Sequence, residues 1–340
     1  MTAHSGPGYP RLAMTVSNQQ TSEFKDRTAG LIVFGAVSIL IGACCALLVP
    51  LMFLSVSLSE SVAGSGVDAR SAWSASALYG IIAVAFVWLG IGSIRARRWA
   101  CELLLSLSWI WLLTGICSMI IGLLVLPTFI RELGGEPTLP TEMAPFVYVV
   151  IFVVFALLYV VLPALFVIFY RSPHVAATCC ARWPDPQWID RCPRRLLTLM
   201  VVWALLAVSA LLMPAYNFFL PFFGIVLTGA VGGFFWALVA ATCGVLAIGT
   251  YRRALWAWWG GLALTLAGTI SSIVVALRYD HLEVLSMMKL PEDQMAVMKT
   301  FPILDRWVVA LGAVVVWGTF IVYLMTLRRF FTPMPISEDV

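Results

Sequence analysis

The chain has 340 residues, of which 61% are hydrophobic and only 11% are charged, and its formal net charge is +4. Soluble globular domains carry about 25% charged residues, so this composition excludes a water-soluble protein. The small basic excess is what membrane insertion produces, and no nucleic-acid partner is expected. The sequence therefore predicts an integral membrane protein whose main partner is the lipid bilayer.

Eight apolar runs are long enough, or nearly so, to cross a bilayer as helices. A helix rises about 1.5 Å per residue and the hydrocarbon core is about 30 Å thick, so about 20 apolar residues suffice. The predicted fold is an all-α polytopic transmembrane bundle of about eight spans. The segment Pro214–Gly224 is expected to be a tight turn or a helix break. The runs are 29–57, 73–95, 99–130, 145–170, 196–214, 218–250, 254–277 and 307–328.

The distribution of Lys and Arg predicts the orientation. Most of the 21 basic residues fall in the loops and tails on the side that holds both termini, which the positive-inside rule assigns to the cytosol. Residues 1–27 and 334–340 are expected to form cytosolic tails, the first of them disordered. Indole rings favour the headgroup level, so Trp256, Trp258 and Trp259 should lie there. The short loops favour a bacterial inner membrane.

The two halves of the sequence carry matching motifs. Gly92–Arg95 followed by Trp99 matches Gly249–Arg252 followed by Trp256 at the same spacing. Further matches occur in the same order, and an internal repeat is the simplest interpretation. They are Leu47–Pro50 with Leu211–Pro214, Gly115 and Ser118 with Gly268 and Ser271, and Leu139-Pro140 with Leu290-Pro291.

These matches predict two tandem four-helix units, residues 28–172 and residues 195–333. An even number of spans gives both units the same orientation, so they should be related by an axis along the membrane normal. The residues between them, 173–194, would form a cytosolic linker. This duplicated arrangement resembles that of transporters built from parallel repeats.

The third and seventh spans share a patch of small and hydroxyl-bearing residues. Small residues let helices approach closely, and hydroxyls bond across helices or to their own backbone. Close packing is therefore the favoured interpretation. The alternative is that both patches line a path for a small polar solute between the two units. The candidate residues are Thr114, Gly115, Ser118, Gly268, Thr269, Ser271 and Ser272.

The linker carries residue types that bind zinc, namely His174, Cys179, Cys180 and Cys192. A Cys-x2–4-Cys knuckle is missing, and adjacent cysteines do not easily chelate one ion together, so free thiols are the favoured interpretation. None of the eight cysteines falls in a predicted outer segment, which is typical of reduced thiols. The nucleotide-binding and metalloprotease motifs are missing as well, and no cofactor is expected.

Charged side chains, which would mark a transport or catalytic mechanism, are almost missing from the predicted spans. Glu102 is the nearest case, and it is expected to pair with Arg98 one helical turn away. This favours a non-enzymatic interaction, regulatory or scaffold component with protein partners or a homo-oligomeric assembly. The alternative is a transporter or channel for a small neutral or hydrophobic solute, which the duplication and the paired patches favour.

Overall fold

The computed structural model describes residues 25–63, 69–133, 144–185, 187–290, 295 and 306–331. The two predicted tails lie outside these ranges, except for the last three residues of the first tail. Within the described ranges, eight helical segments are long and apolar enough to cross a bilayer. The chain is therefore a multi-pass membrane protein, and its architecture is a bundle of α-helices.

The first four candidate spans are helical throughout, and the fourth changes its helix type midway. Pro163 lacks the N–H that would bond the carbonyl of Tyr159 four residues earlier, and a π-helical turn covers this point. The spans are α1 (Thr28–Ala63), α2 (Ala69–Ile94), α3 (Arg98–Leu133), and a fourth made of α4 (Ala144–Ala156), the π turn (Leu157–Val161) and α5 (Leu162–Tyr170).

The predicted linker is itself folded, and the remaining spans follow it. The linker contains α6 (Pro173–Arg182) and a 3-10 turn (Trp188–Arg191). The later helices are α7 (Arg194–Ser209) with a 3-10 extension (Ala210–Tyr216), α8 (Gly229–Tyr251), α9 (Leu255–Arg278), α10 (His281–Met288) and α11 (Arg306–Leu327) with a last 3-10 turn (Arg328–Phe330).

The prediction of a sixth span over 218–250 is wrong at its beginning, because α8 starts only at Gly229. Before it, β1 (Leu220–Phe222) pairs antiparallel with β2 (Ile225–Leu227). The segment Pro214–Gly224 is therefore neither a simple turn nor a helix break.

Two residues, Phe223 and Gly224, join these strands with φ values of +42° and +89°. Positive φ at both positions suits a two-residue hairpin turn, and glycine adopts it at little cost. The bundle thus has two distinct ends. We call the end that carries α6 and the α2–α3 and α8–α9 turns the linker end, and the end that carries β1, β2 and α10 the hairpin end.

Helices pair in the same order in each half. In the first half α1 packs against α2 and α3 against α5, and in the second half α7 packs against α8 and α9 against α11. Between the halves, α7 packs against α3, and the 3-10 extension 210–216 packs against α2. α7 and its 3-10 extension therefore pack against both halves.

The α2–α3 and α8–α9 turns have the same backbone geometry. The Arg97 N–H donates to the Gly92 carbonyl at 2.9 Å, and the Ala254 N–H donates to the Gly249 carbonyl at 3.0 Å. Each turn also contains a non-glycine residue with positive φ, Ala96 at 52° in the first and Arg253 at 54° in the second. Both turns close a helix in the manner of a Schellman cap.

Most of the buried apolar side chains form two clusters near the linker end, one in each half. Trp258 belongs to the second cluster: it is 2% exposed and its Nε1–H donates to the Leu324 carbonyl at 2.8 Å. The Trp258 ring therefore packs inside the bundle, and the headgroup level predicted for it stays a prediction. Its neighbours Trp256 and Trp259 are each 53% exposed, because successive helical residues point in different directions.

Candidate functional site: a cleft at the linker end

The linker is fastened to the first half by α6 and the residue that follows it. The Arg27 N–H donates to the Thr178 hydroxyl at 3.2 Å. The indole N–H of Trp183 donates to the Arg95 carbonyl at 2.9 Å, and the Arg97 guanidinium lies 3.5 Å above the centre of the same ring. A cation over an indole face is attracted by the ring electrons, so Trp183 holds the linker on the α2–α3 turn through two contacts.

The second part of the linker contacts both halves. Asp190 in the 3-10 turn forms an ion pair with Arg98 at 3.0 Å, and the Gln187 side chain accepts the Trp99 N–H at 3.3 Å. The Tyr251 hydroxyl, at the end of α8, donates to the Trp188 carbonyl at 3.2 Å. The 3-10 turn therefore bridges the start of α3 and the end of α8.

The predicted pairing of Glu102 with Arg98 is wrong. The Glu102 Oε1 atom instead accepts from Arg194, whose Nη2 lies at 2.7 Å and whose Nε lies at 2.9 Å. Arg194 begins α7, which packs against α3, and this tertiary contact brings its guanidinium to Glu102. Arg98 pairs with Asp190, so two ion pairs replace the single local one.

These ion pairs border a cleft of about 320 Å³ between α3, α6 and the start of α7. Two arginines and two carboxylates line it, so their formal charges cancel. Four of the eight cysteines also line it, namely Cys101, Cys179, Cys180 and Cys192. The described cleft is therefore a neutral, thiol-rich site at the linker end.

Two of these thiols touch. The Cys101 Sγ on α3 lies 3.1 Å from the Cys179 Sγ on α6, and the two residues are 6% and 1% exposed. A hydrogen bond from the Cys101 thiol is the main influence on Cys179, and it lowers the pKa of that thiol. Burial and the Glu102 carboxylate oppose this shift in the Cys179 pKa, and Arg98 and Arg182 support it. A thiol with a lowered pKa is a better nucleophile at neutral pH.

The other two cysteines differ from this pair. Cys180 is exposed, and Cys192 is buried, which raises the pKa of its thiol. His174 lies on α6 but does not line the cleft. Within the described residues, no group of three or more His, Cys, Asp or Glu side chains could hold a metal ion. The four candidate zinc ligands are thus not gathered as one set.

Three of the five hydroxyls on the predicted solute path bond within the protein. Thr114 donates to the Ile110 carbonyl at 2.9 Å, within its own helix. Thr269 is buried and bonds to its own helix in the same manner. Ser271 is also buried, and its hydroxyl accepts the Phe223 N–H of the hairpin turn at 3.1 Å. Ser271 therefore anchors the hairpin to α9.

The remaining patch residues have unlike surroundings. Gly115 lies against the backbone of Tyr159 in the π turn, whereas Gly268 has open space beside it. Ser118 is exposed and Ser272 is half-buried. The structure does not bring the two patches together by extensive packing of α3 on α9, and a solute path along them stays a prediction.

Sequence reasoning missed the Cys101–Cys179 contact, because Cys101 falls in an apolar run and Cys179 in a loop far along the chain. The only hint was the high cysteine content of the predicted linker. In comparisons with known proteins, no family model matches the chain, and no curated protein or solved structure is detectably similar to it. The site is therefore interpreted from its geometry.

Proposed function

We propose that this chain is a non-enzymatic membrane protein, an interaction, regulatory or scaffold component, and that its linker is the surface that partners recognise. The observation that carries this proposal is the folded linker, which is fixed to both halves and still exposes Arg182, Asp185 and Trp188. Trp and Arg are the side chains most enriched at the energetic centres of protein interfaces. An exposed face on a fixed element can bind a partner without the cost of ordering a loop.

We propose that the chain lies in a bacterial inner membrane and that this surface faces the cytosol. Arginines crowd the linker end, among them Arg95, Arg97 and Arg98, and positive residues are retained on the cytosolic side during insertion. The hairpin end carries acidic residues in and before α10, Asp280 and Glu283. The partner of the linker is then a cytosolic protein or a second copy of this chain.

We also propose that residues 28–172 and 195–333 are tandem four-helix units related by an axis along the membrane normal. The common order of helix pairing and the common turn geometry support this. So does the packing of Gly92 against Trp99, which Gly249 and Trp256 repeat. The duplication gives the bundle two similar halves, and the linker would connect them at the linker end.

The repeat accounts for a buried hydroxyl that has no partner. Ser93 is fully buried and its hydroxyl lies 2.7 Å from the Tyr170 hydroxyl. Thr250 occupies the matching place in the second half and is fully buried, but its hydroxyl has no hydrogen-bond partner among the described residues. Tyr170 directly precedes Arg171, the first arginine after the fourth span. The matching position in the second half, directly before Arg328, is the apolar Leu327. Divergence of one partner would leave the other unsatisfied.

A double variant of the exposed linker face tests the proposed function. We expect Arg182→Glu with Trp188→Ala to reduce partner recovery by at least about tenfold, because loss of an interface tryptophan alone commonly costs 2 kcal/mol or more. Partners would be captured by in-membrane cross-linking and quantified by mass spectrometry after purification of the tagged chain.

The matched control lies at the hairpin end, where Leu282 and Glu283 on α10 are exposed. Leu282→Ala with Glu283→Lys changes one apolar and one charged residue in the same way, and partner recovery should stay at the wild-type level. If every cross-linked partner were recovered equally with the linker variant, the linker would not be the recognition surface and the proposal would fail.

The alternative proposal is a transporter or channel for a small neutral or hydrophobic solute. The duplicated pairing of helices favours it, because many transporters are built from such repeats. It requires water or solute to reach residues such as Ser118 and Ser271. The bonded hydroxyls of Thr114 and Ser271 favour the interaction component instead.

A further inference from the structure

The Cys101–Cys179 contact joins two elements that belong to different parts of the fold. Cys101 lies in the first turn of α3, and Cys179 lies on the linker helix α6. The two sulfur atoms are 3.1 Å apart, and both residues line the cleft at the linker end. The proposed interaction surface uses neither thiol. Their proximity therefore needs a separate explanation.

We propose that Cys101 and Cys179 are a redox modification site, a dithiol that a hydroperoxide converts reversibly to a disulfide joining α6 to α3. Disulfide formation requires the sulfur atoms to approach by about 1 Å, to a bond of about 2.05 Å. Both thiols are buried from bulk solvent, but they open on a cleft of about 320 Å³. That volume admits hydrogen peroxide, which is little larger than water.

The chemistry balances in two steps. The Cys179 thiolate attacks one oxygen of hydrogen peroxide, which forms a sulfenic acid and releases hydroxide, and the thiol proton converts this hydroxide to water. The Cys101 sulfur then attacks the sulfenic sulfur, the S–S bond forms, and the departing hydroxide takes the Cys101 proton as a second water. Two thiols are oxidised and one peroxide is reduced. A reducing dithiol reverses the change by thiol–disulfide exchange.

The roles of the two sulfurs follow from their surroundings. Cys179 is the attacking thiol, because the hydrogen bond from Cys101 and the nearby Arg98 and Arg182 charges favour its thiolate. Cys101 is the resolving thiol, because it is already in contact with Cys179.

The neighbouring cysteines do not fit the same roles. Cys180 follows Cys179 directly, and adjacent Cα atoms are about 3.8 Å apart, closer than the 4.4–6.8 Å span usual for disulfides. Cys192 is buried, and its sulfur contacts the Pro193 carbonyl at 3.8 Å. These two cysteines therefore serve as controls within the same cleft.

The test treats the full-length protein in native membranes with hydrogen peroxide, unfolds it in sodium dodecyl sulfate so that buried thiols become accessible, and then alkylates the remaining thiols with N-ethylmaleimide. We expect the number of alkylated cysteines to fall from eight to six. Peptide mapping without reduction should find the Cys101 and Cys179 peptides linked, and dithiothreitol should restore all eight thiols. The Cys180→Ser and Cys192→Ser variants should form the same link, whereas Cys101→Ser and Cys179→Ser should not.

Peptide mapping of the wild-type chain keeps the inference falsifiable even if a serine variant fails to fold. The inference is overturned if peroxide oxidises Cys180 or Cys192 while the Cys101 and Cys179 peptides remain alkylated. It is equally overturned if all eight thiols survive a dose that fully oxidises glutathione added to the same membranes. Neither outcome depends on partner recovery, so it is separable from failure of the proposed function.

Discussion

Gly115→Ala is expected to destabilise the bundle by about 1–3 kcal/mol, the usual cost of overpacking. A Cβ atom at Gly115 would collide with the carbonyl oxygen of Tyr159, which is backbone and cannot move aside as a side chain can. In a helix without such a collision, replacing glycine by alanine would stabilise the protein by about 0.8–1.0 kcal/mol. A fall in the free energy of unfolding would therefore indicate the collision. The measurement is the free energy of unfolding in detergent micelles.

Gly268→Ala is the matched control, because a Cβ atom there meets open space. Its stability should stay at the wild-type level or rise slightly. Equal losses in the two variants would show that the close approach of α3 to the π turn is not what Gly115 provides.

Trp258→Ala is expected to be the most damaging single change at the linker end, with a loss of about 3–5 kcal/mol. The Trp258 ring is 2% exposed and lies within the buried cluster of the second half. Its indole N–H donates to the Leu324 carbonyl, and the Arg328 guanidinium lies 5.4 Å from its ring centre. Truncation would leave a cavity and remove both contacts. Unfolding in detergent micelles measures the loss.

Two variants separate the causes. Trp259→Ala removes an identical side chain that is 53% exposed, and we expect it to cost no more than about 0.5 kcal/mol. Trp258→Phe keeps an aromatic ring but loses the hydrogen bond, which should cost about 1 kcal/mol for the bond, with added loss from the smaller ring. Similar losses for Trp258→Ala and Trp259→Ala would contradict the assignment of Trp258 to the core.

The membrane spans could be predicted because length and apolarity alone determine whether a helix can cross a bilayer. The hairpin could not, because a short apolar run such as 218–228 is compatible with a strand and with a helix. Only Pro214, Asn217 and Pro221 hinted at a turn in this region. The π turn could not be predicted either. Pro163 removes one helical hydrogen bond, but how the helix adjusts around it depends on the packing of α3.

The cleft could be predicted only in part. A helix places Arg98 and Glu102 within reach of each other, and this spacing predicts that they pair. In the folded chain, Asp190 of the linker pairs with Arg98 and Arg194 of α7 pairs with Glu102 instead. The pairing of Cys101 with Cys179 likewise depends on tertiary packing. The sequence predicts that Trp258 and Trp259 lie near the membrane surface. Which of the two is buried depends on where α11 packs, and this cannot be read from the sequence.

Substituted-cysteine accessibility, on a background in which the native cysteines are replaced, distinguishes an interaction component from a solute pathway. A membrane-impermeant maleimide should label a control cysteine at the exposed Ser286 on α10 and none of the test positions. Labelling at test positions of both α3 and α9 would demonstrate a water-lined route, and the chain would then be a transporter or channel and not an interaction component. The test positions are Thr114, Ser118, Thr269, Ser271 and Ser272.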